Sequence, residues 1–342
     1  MIIKRLCRII ISGLLAFAVL NGIGFFYSNV PPHYVNQSGT TDFCRPPHSF
    51  YSRWSEGGSF GVTNNEGLYN LFDYREGMPV DVIIMGSSHT EGTYVPMKCS
   101  IASLLNQRFT DKTVYNLGMA SHEFLNCAEN MEAALKKYRP EYVCILTNYL
   151  TFDEGKVRQS LKGELPDVTS FSSGVINVIE RIPYARLLYD NWEVTFQESL
   201  NRRSLLRMTK GAAAEPVTKV PRNESTLKEK QDLAEKLFVR YAEILKKYNA
   251  KLIVFYDPST SVMEDGSLSL SGTQTSTEYF TYLCDKNGFL FIDMSERYIS
   301  EYNSKHILPH GFWNSSVGSG HLNRDGNAMI ADEIYKKIME VD

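Results

Sequence analysis

The sequence predicts an α/β protein: a three-layer sandwich with a central parallel sheet, preceded by one N-terminal transmembrane helix. Two observations carry that reading. From Pro79 onward, short aliphatic runs alternate with stretches whose apolar residues recur at helical spacing, and strands alternating with helices build a parallel sheet covered on both faces. Near the start, Ile9 to Phe26 is uncharged, and no Asp, Glu, Lys or Arg follows until Asp42. The chain of 342 residues is 43% hydrophobic and 22% charged, with a net charge of −3. That is ordinary globular composition and excludes a disordered chain. No long basic run appears, which argues against nucleic acid as a partner.

Taken in order, Lys4, Arg5 and Arg8 close a basic tail (residues 1–8), and the uncharged segment follows (9–27). Eighteen residues at ~1.5 Å rise span ~27 Å, enough for a bilayer core. Basic residues on the leading side place the N-terminus in the cytoplasm and the rest of the chain outside, at the cell membrane. A cleaved signal is the rival reading, with Ala16-Phe17-Ala18 as a small-x-small site. Apolar character through Ile23, Phe25 and Phe26 favours a retained anchor. Residues 28–78, rich in Pro, Gly, Asn and aromatics, read as an extended segment with little regular structure.

Strands are expected at Val80–Met85, Thr113–Leu117, Tyr142–Thr147, Leu252–Tyr256 and Phe289–Ile292. Helices are expected at Met97–Phe109, Glu123–Tyr138, Thr277–Asn287 and at the C-terminus, where Ile330, Ile334 and Ile338 share a face. Thr226 and Glu229 have capping-box spacing before a further helix. Residues 150–224 interrupt the rhythm as an insertion within a domain spanning 79–342. Five cysteines follow the anchor, and Cys44 with Cys99 is the candidate disulfide; no CxxC is present, so no zinc pattern arises.

The chemistry lies in four short blocks. Gly86-Ser87-Ser88-His89 follows the first strand, where a sharp turn can present a serine hydroxyl. Gly118 and Asn148 follow the second and third strands. His321, between Gly320 and Leu322, precedes the last helix, and a serine nucleophile needs such a base brought close by the fold. His306 and His310 lack the spacing of a metal site.

In these four blocks, over roughly residues 80–340, the chain resembles the SGNH (GDSL-like) hydrolase superfamily, whose sheet is flavodoxin-like. The resemblance implies Ser88 as nucleophile, His321 as general base, and an oxyanion hole from the N–H groups of Ser88 and Gly118 and the amide of Asn148. It implies no metal and no cofactor. It implies acyl-ester chemistry, as hydrolase or O-acyltransferase, on acylated surface or cell-wall carbohydrate, the membrane being the other partner. The family's Asp three residues before the histidine is Gly318 here. Without that carboxylate, a backbone carbonyl or water is expected to orient His321 in a Ser–His dyad. The same departure motivates a rival reading, a non-catalytic glycan-binding or assembly protein on the hydrolase scaffold.

Overall fold

A computed structural model describes residues 2–31, 34–150, 152, 154–162, 184, 224–272 and 274–341. Two compact units divide the chain: residues 1–29 with 169–229, and residues 30–168 with 230–342. In the first, α1 (Ile2–Tyr27) is one continuous helix of 26 residues with a mean hydropathy of 2.2 over its most apolar window. At ~1.5 Å per residue it is ~39 Å long, so it is long and apolar enough to cross a membrane. Most of the insertion lies outside the described residues, as does the Thr226 side chain of the expected capping box.

The second unit is built on five parallel strands: β1 (Val82–Met85), β2 (Val114–Asn116), β3 (Tyr142–Thr147), β4 (Lys251–Tyr256) and β5 (Leu290–Asp293). They lie in the order β2-β1-β3-β4-β5. Successive side chains of a strand point to opposite faces, and the core divides accordingly. Ile83, Tyr115, Val143 and Val254 face one cluster; Val82, Ile84, Cys144 and Phe255 face the other. Because both faces are buried, these strands read as continuous apolar runs rather than as alternation.

Helices α2 (Ser88–Glu91), α3 (Ile101–Arg108), α4 (Phe124–Tyr138), α5 (Glu154–Lys162), α6 (Glu224–Tyr248), α7 (Gln274–Lys286), α8 (Ser295–Lys305) and α9 (Arg324–Val341) complete the layers. The first cluster takes Phe124 and Met131 of α4, Leu237 and Phe238 of α6, and Phe280 of α7. The second takes Leu105 of α3, Tyr298 of α8 and the expected Ile330, Ile334 and Ile338 of α9. Glu123 closes the start of α4 in a reciprocal capping box with Asn126.

Residues 28–78 correct the sequence reading. Phe50–Arg53 pairs antiparallel with Ser59–Val62, and Tyr34–Val35 with Phe43–Cys44. Tyr51, Leu68 and Tyr69 are buried. This segment is also tied to α2 by charge: Arg45 Nη2 lies 3.0 Å from Glu91 Oε1, both side chains being almost wholly buried. Burial pushes the Arg45 guanidinium down, but Glu91 outweighs it and holds it above its ordinary value. Cys44 and Cys99, the candidate disulfide, are free thiols.

Breaking a buried pair by removing one partner leaves an unpaired charge and typically costs about 3–5 kcal/mol. Arg45→Met is therefore expected to lower the thermal midpoint of the full chain strongly, and Arg45→Met with Glu91→Leu to recover most of that loss. Thermal unfolding followed by circular dichroism checks both.

Candidate active site

In open parallel sheets, ligands gather beyond the carboxyl ends of the strands where the strand order reverses. Here that point lies between β1 and β3, and the serine turn follows β1. Gly86 has φ +154°, and a Cβ there would stand 2.3 Å from Thr90 Oγ1, so glycine lets the chain turn tightly into α2. Ser88 opens that helix, with Ser87 O accepting from the N–H groups of Thr90 and Glu91. The Ser88 N–H is one of the donors that a helix start leaves without an intrahelical acceptor.

His321 arrives on an antiparallel hairpin, His310–Gly311 against Val317–Leu322. Its Nε2 lies 3.1 Å from Ser88 Oγ, within the range in which an imidazole can take a hydroxyl proton. On the far side stands a carboxylate: Glu56 Oε2 is 2.8 Å from His321 Nδ1, and Glu56 Oε1 accepts the His321 backbone N–H at 3.1 Å. The expected dyad is thus a Ser88–His321–Glu56 relay. Glu56 sits in the turn between the strands Phe50–Arg53 and Ser59–Val62. Its carboxyl is pushed up by burial, yet hydrogen bonds and charge from His321 outweigh that and hold it below the usual range. Glu56 therefore stays ionised at neutral pH and fixes the tautomer with Nδ1–H.

Two further features hold the His321 ring in place. Gly320 has φ +94°, and a Cβ there would come within 2.7 Å of Glu56 Oε1, so the close approach of the carboxylate needs glycine. Tyr94 stacks on the imidazole at 3.6 Å between centroids, with Arg53 over its ring at 4.9 Å.

The other two expected donors are placed differently. The Gly118 N–H is donated to Asn116 Oδ1 at 2.8 Å. Gly118 is required for another reason: a Cβ would meet the α2 backbone at 2.4 Å. Asn148 lies nearer the serine turn, accepting from Ser87 Oγ at 3.3 Å. Its amide, however, donates to Asp257, to the carbonyl at 2.9 Å and to Oδ2 at 3.1 Å. Both expected oxyanion donors are engaged, and the Ser88 N–H is the one located at a helix start.

Asp257, just after β4, is fully buried. Tyr298 donates to its Oδ1 at 2.6 Å, His310 Nε2 stands 3.1 Å from the same oxygen, and His89 Nδ1 lies 2.6 Å from Oδ2. Burial pushes this carboxyl up, but the two histidines outweigh it and hold it far below the usual range. Among the described residues, His89, Asp257 and His310 are the group whose ligand atoms lie close enough together to hold a metal ion. Their spacing is that of donors around a carboxylate, with no gap for an ion between His89 Nδ1 and Oδ2.

A cavity of about 480 Å³ opens beside Ser88, lined by Ser87, His89, His122, Asn148, Tyr149 and Gly320. A second cleft of about 530 Å³ is lined by Trp54, Tyr94, Phe312 and Trp313, with Asn323 and Arg324. Tyr94, which stacks on His321, borders it. Trp313 is 86% exposed and Trp54 43%.

No family model and no curated protein matches the chain by sequence. Solved structures similar to it include the acetyl xylan esterase AlAXEase, at 13% identity and a TM-score of 0.41, over 76% of this chain and 100% of that one. Another is the psychrotrophic esterase EstA from Pseudoalteromonas sp., at 11% identity and 0.38, over 76% and 97%. A third is a lipolytic protein of the G-D-S-L family from Desulfitobacterium hafniense, at 13% and 0.37, over 74% and 96%. The fold of this chain rests on its own sheet order, and the site on its own distances.

Positioned acid–base groups contribute about 10²–10⁴-fold to rate. Glu56→Gln is expected to slow fluorophosphonate labelling of Ser88 by a factor in that range of about 10²–10⁴, with the fold intact by circular dichroism. The sign of the pH effect follows from the lowered Glu56 pKa. Its stabilising contribution is complete above the ordinary glutamate pKa and is lost as pH falls through the folded value. Glu56→Gln should flatten that acid limb in a series of thermal midpoints against pH.

Proposed function

We propose that this protein, with its SGNH-like hydrolase fold, is a serine-dependent enzyme of acyl-ester chemistry, working outside the cytoplasm from a membrane anchor. The observation that carries this reading is the relay in which Ser88, His321 and Glu56 stand in succession at 3.1 Å and 2.8 Å. Ser88 Oγ attacks the ester carbonyl while His321 Nε2 takes its proton. His321 then gives that proton to the departing alkoxide, leaving an acyl-serine. The Ser88 N–H is the first donor to the oxyanion; one such donor is worth about 2.7–4 kcal/mol. Water resolving the intermediate gives hydrolysis, and a sugar hydroxyl gives O-acyl transfer.

The substrate we infer is an acyl ester, with acetyl as the acyl group, on a surface or cell-wall glycan. Trp54 and Trp313 support it: large exposed aromatic side chains, lining one cleft with polar Asn323 and Arg324 and with the Tyr94 that stacks on His321, suit a ligand with apolar faces and hydroxyl edges. The rival binding-protein reading arose from Gly318 in place of a carboxylate, and Glu56 removes its motive.

The test uses the full chain in detergent with an acetyl ester, with and without a glycan acceptor. Acetate release that Ser88→Ala abolishes supports the ester chemistry. Acetylated glycan identifies transfer, and acetate alone identifies hydrolysis. No turnover of either kind by a folded chain would contradict the proposal. Trp313→Ala is expected to raise KM for acetylated oligosaccharide and leave kcat/KM for p-nitrophenyl acetate unchanged; equal effects on both would remove the glycan assignment. For the anchor, alkaline carbonate should leave the full-length chain in the membrane pellet, and a soluble form beginning near Val19 would refute it.

A further inference from the structure

The relay leaves a second carboxylate–imidazole pair unused in the same cavity. We propose that His89, held by Asp257, is a second catalytic histidine, whose Nε2 takes the proton of the incoming acyl acceptor. The proposal rests on the acyl-serine reading given above and extends it to the second half-reaction.

The geometry repeats that of Glu56 and His321. Asp257 Oδ2 lies 2.6 Å from His89 Nδ1, so Nδ1 carries the hydrogen and Nε2 keeps its lone pair. The carboxylate is itself fixed, by the Tyr298 hydroxyl at 2.6 Å and by the Asn148 amide at 3.1 Å. His89 follows Ser88 directly in the chain and lines the serine's cavity. Its side chain is 10% exposed, and its side-chain hydrogen bonds among the described residues run through Nδ1. Burial pushes this imidazole below its ordinary pKa against the pull of Asp257, so the ring is neutral at neutral pH and able to accept a proton.

The neighbouring histidines differ on this point. His310 is wholly buried, with Nδ1 on Thr260 Oγ1 at 2.9 Å and Nε2 toward Asp257 at 3.1 Å. His122 turns Nε2 to Asp42 at 3.0 Å and Nδ1 to the Ala120 carbonyl at 3.3 Å. Both rings turn Nε2 toward a buried or half-buried carboxylate. His89 differs in turning Nδ1, not Nε2, to its carboxylate, beside Ser88.

The step balances as follows. The acceptor oxygen attacks the acyl carbonyl carbon, and its proton goes to His89 Nε2. The tetrahedral intermediate collapses, the bond from that carbon to Ser88 Oγ breaks, and Oγ takes the proton from Nε2. Both imidazoles are neutral at the end, as at the start. Division of labour between two bases suits a site where leaving group and acceptor occupy different sides of the acyl-serine.

The test separates the two half-reactions in the full chain in detergent, with p-nitrophenyl acetate as acyl donor. In His89→Ala, fluorophosphonate labelling of Ser88 should stay within about threefold of wild type, while steady-state turnover falls about 10²-fold. Acetyl-Ser88 should then accumulate in peptide mass spectra, and imidazole added to the buffer should restore turnover. His89→Gln, which keeps a donor for Asp257, should show the same split and decides the matter if the alanine variant does not fold. Unchanged turnover would overturn the proposal. So would labelling that falls in step with turnover without acetyl-Ser88 accumulating, since His89 would then only support the turn. Absence of labelling in the wild-type chain would instead refute the nucleophile reading itself.

Discussion

The Glu56 carboxylate is the constraint on which the site depends. It accepts from both the backbone N–H and the ring Nδ1–H of His321, so it fixes position and tautomer together. An imidazole in a glycine-flanked hairpin would otherwise be free to turn, and a base that turns is rarely aimed at its serine. Gly320 is the counterpart of this clamp, because any side chain there would occupy the space of Glu56 Oε1. Tyr94 covers one face of the ring, 3.6 Å between centroids.

The clamp makes the segment before the sheet part of the candidate site. Glu56 stands on a hairpin turn braced by Asn314, whose amide donates to the Trp54 and Gly57 carbonyls and whose Oδ1 accepts the Gly57 N–H. Arg45 reaches from the same segment to Glu91 of α2, the helix that Ser88 opens. His321, Glu56 and the serine turn are therefore linked by two polar anchors, Asn314 to Gly57 across 257 positions of sequence and Arg45 to Glu91 across 46. Folding of the hairpin and assembly of the site are one event on this account.

What could be read from the chain follows the range of the interactions. The strand Tyr142–Thr147 and the α9 face of Ile330, Ile334 and Ile338 were legible because local periodicity reports burial directly. Ser88 and His321 were legible because a strand-end turn and a glycine-flanked histidine are local patterns. Glu56 was not: its partner is 265 positions away, and its surroundings show neither helix nor strand period. Position 318, where a carboxylate was sought, has φ +82° and serves the hairpin instead. Gly118 and Asn148 were found in the right places with the wrong partners, since nothing in a sequence tells which acceptor an N–H will reach. Asn116 and Asp257 take those donors.

The central claim is that Ser88, activated by the clamped histidine, is the nucleophile. Peptide mapping after fluorophosphonate treatment of the full chain tests it most directly, because Ser87 and Ser88 are adjacent and their adducts are separable by fragment masses. The account requires the adduct on Ser88 and its loss in His321→Ala. An adduct on Ser87, or labelling of Ser88 that is indifferent to His321, would contradict it.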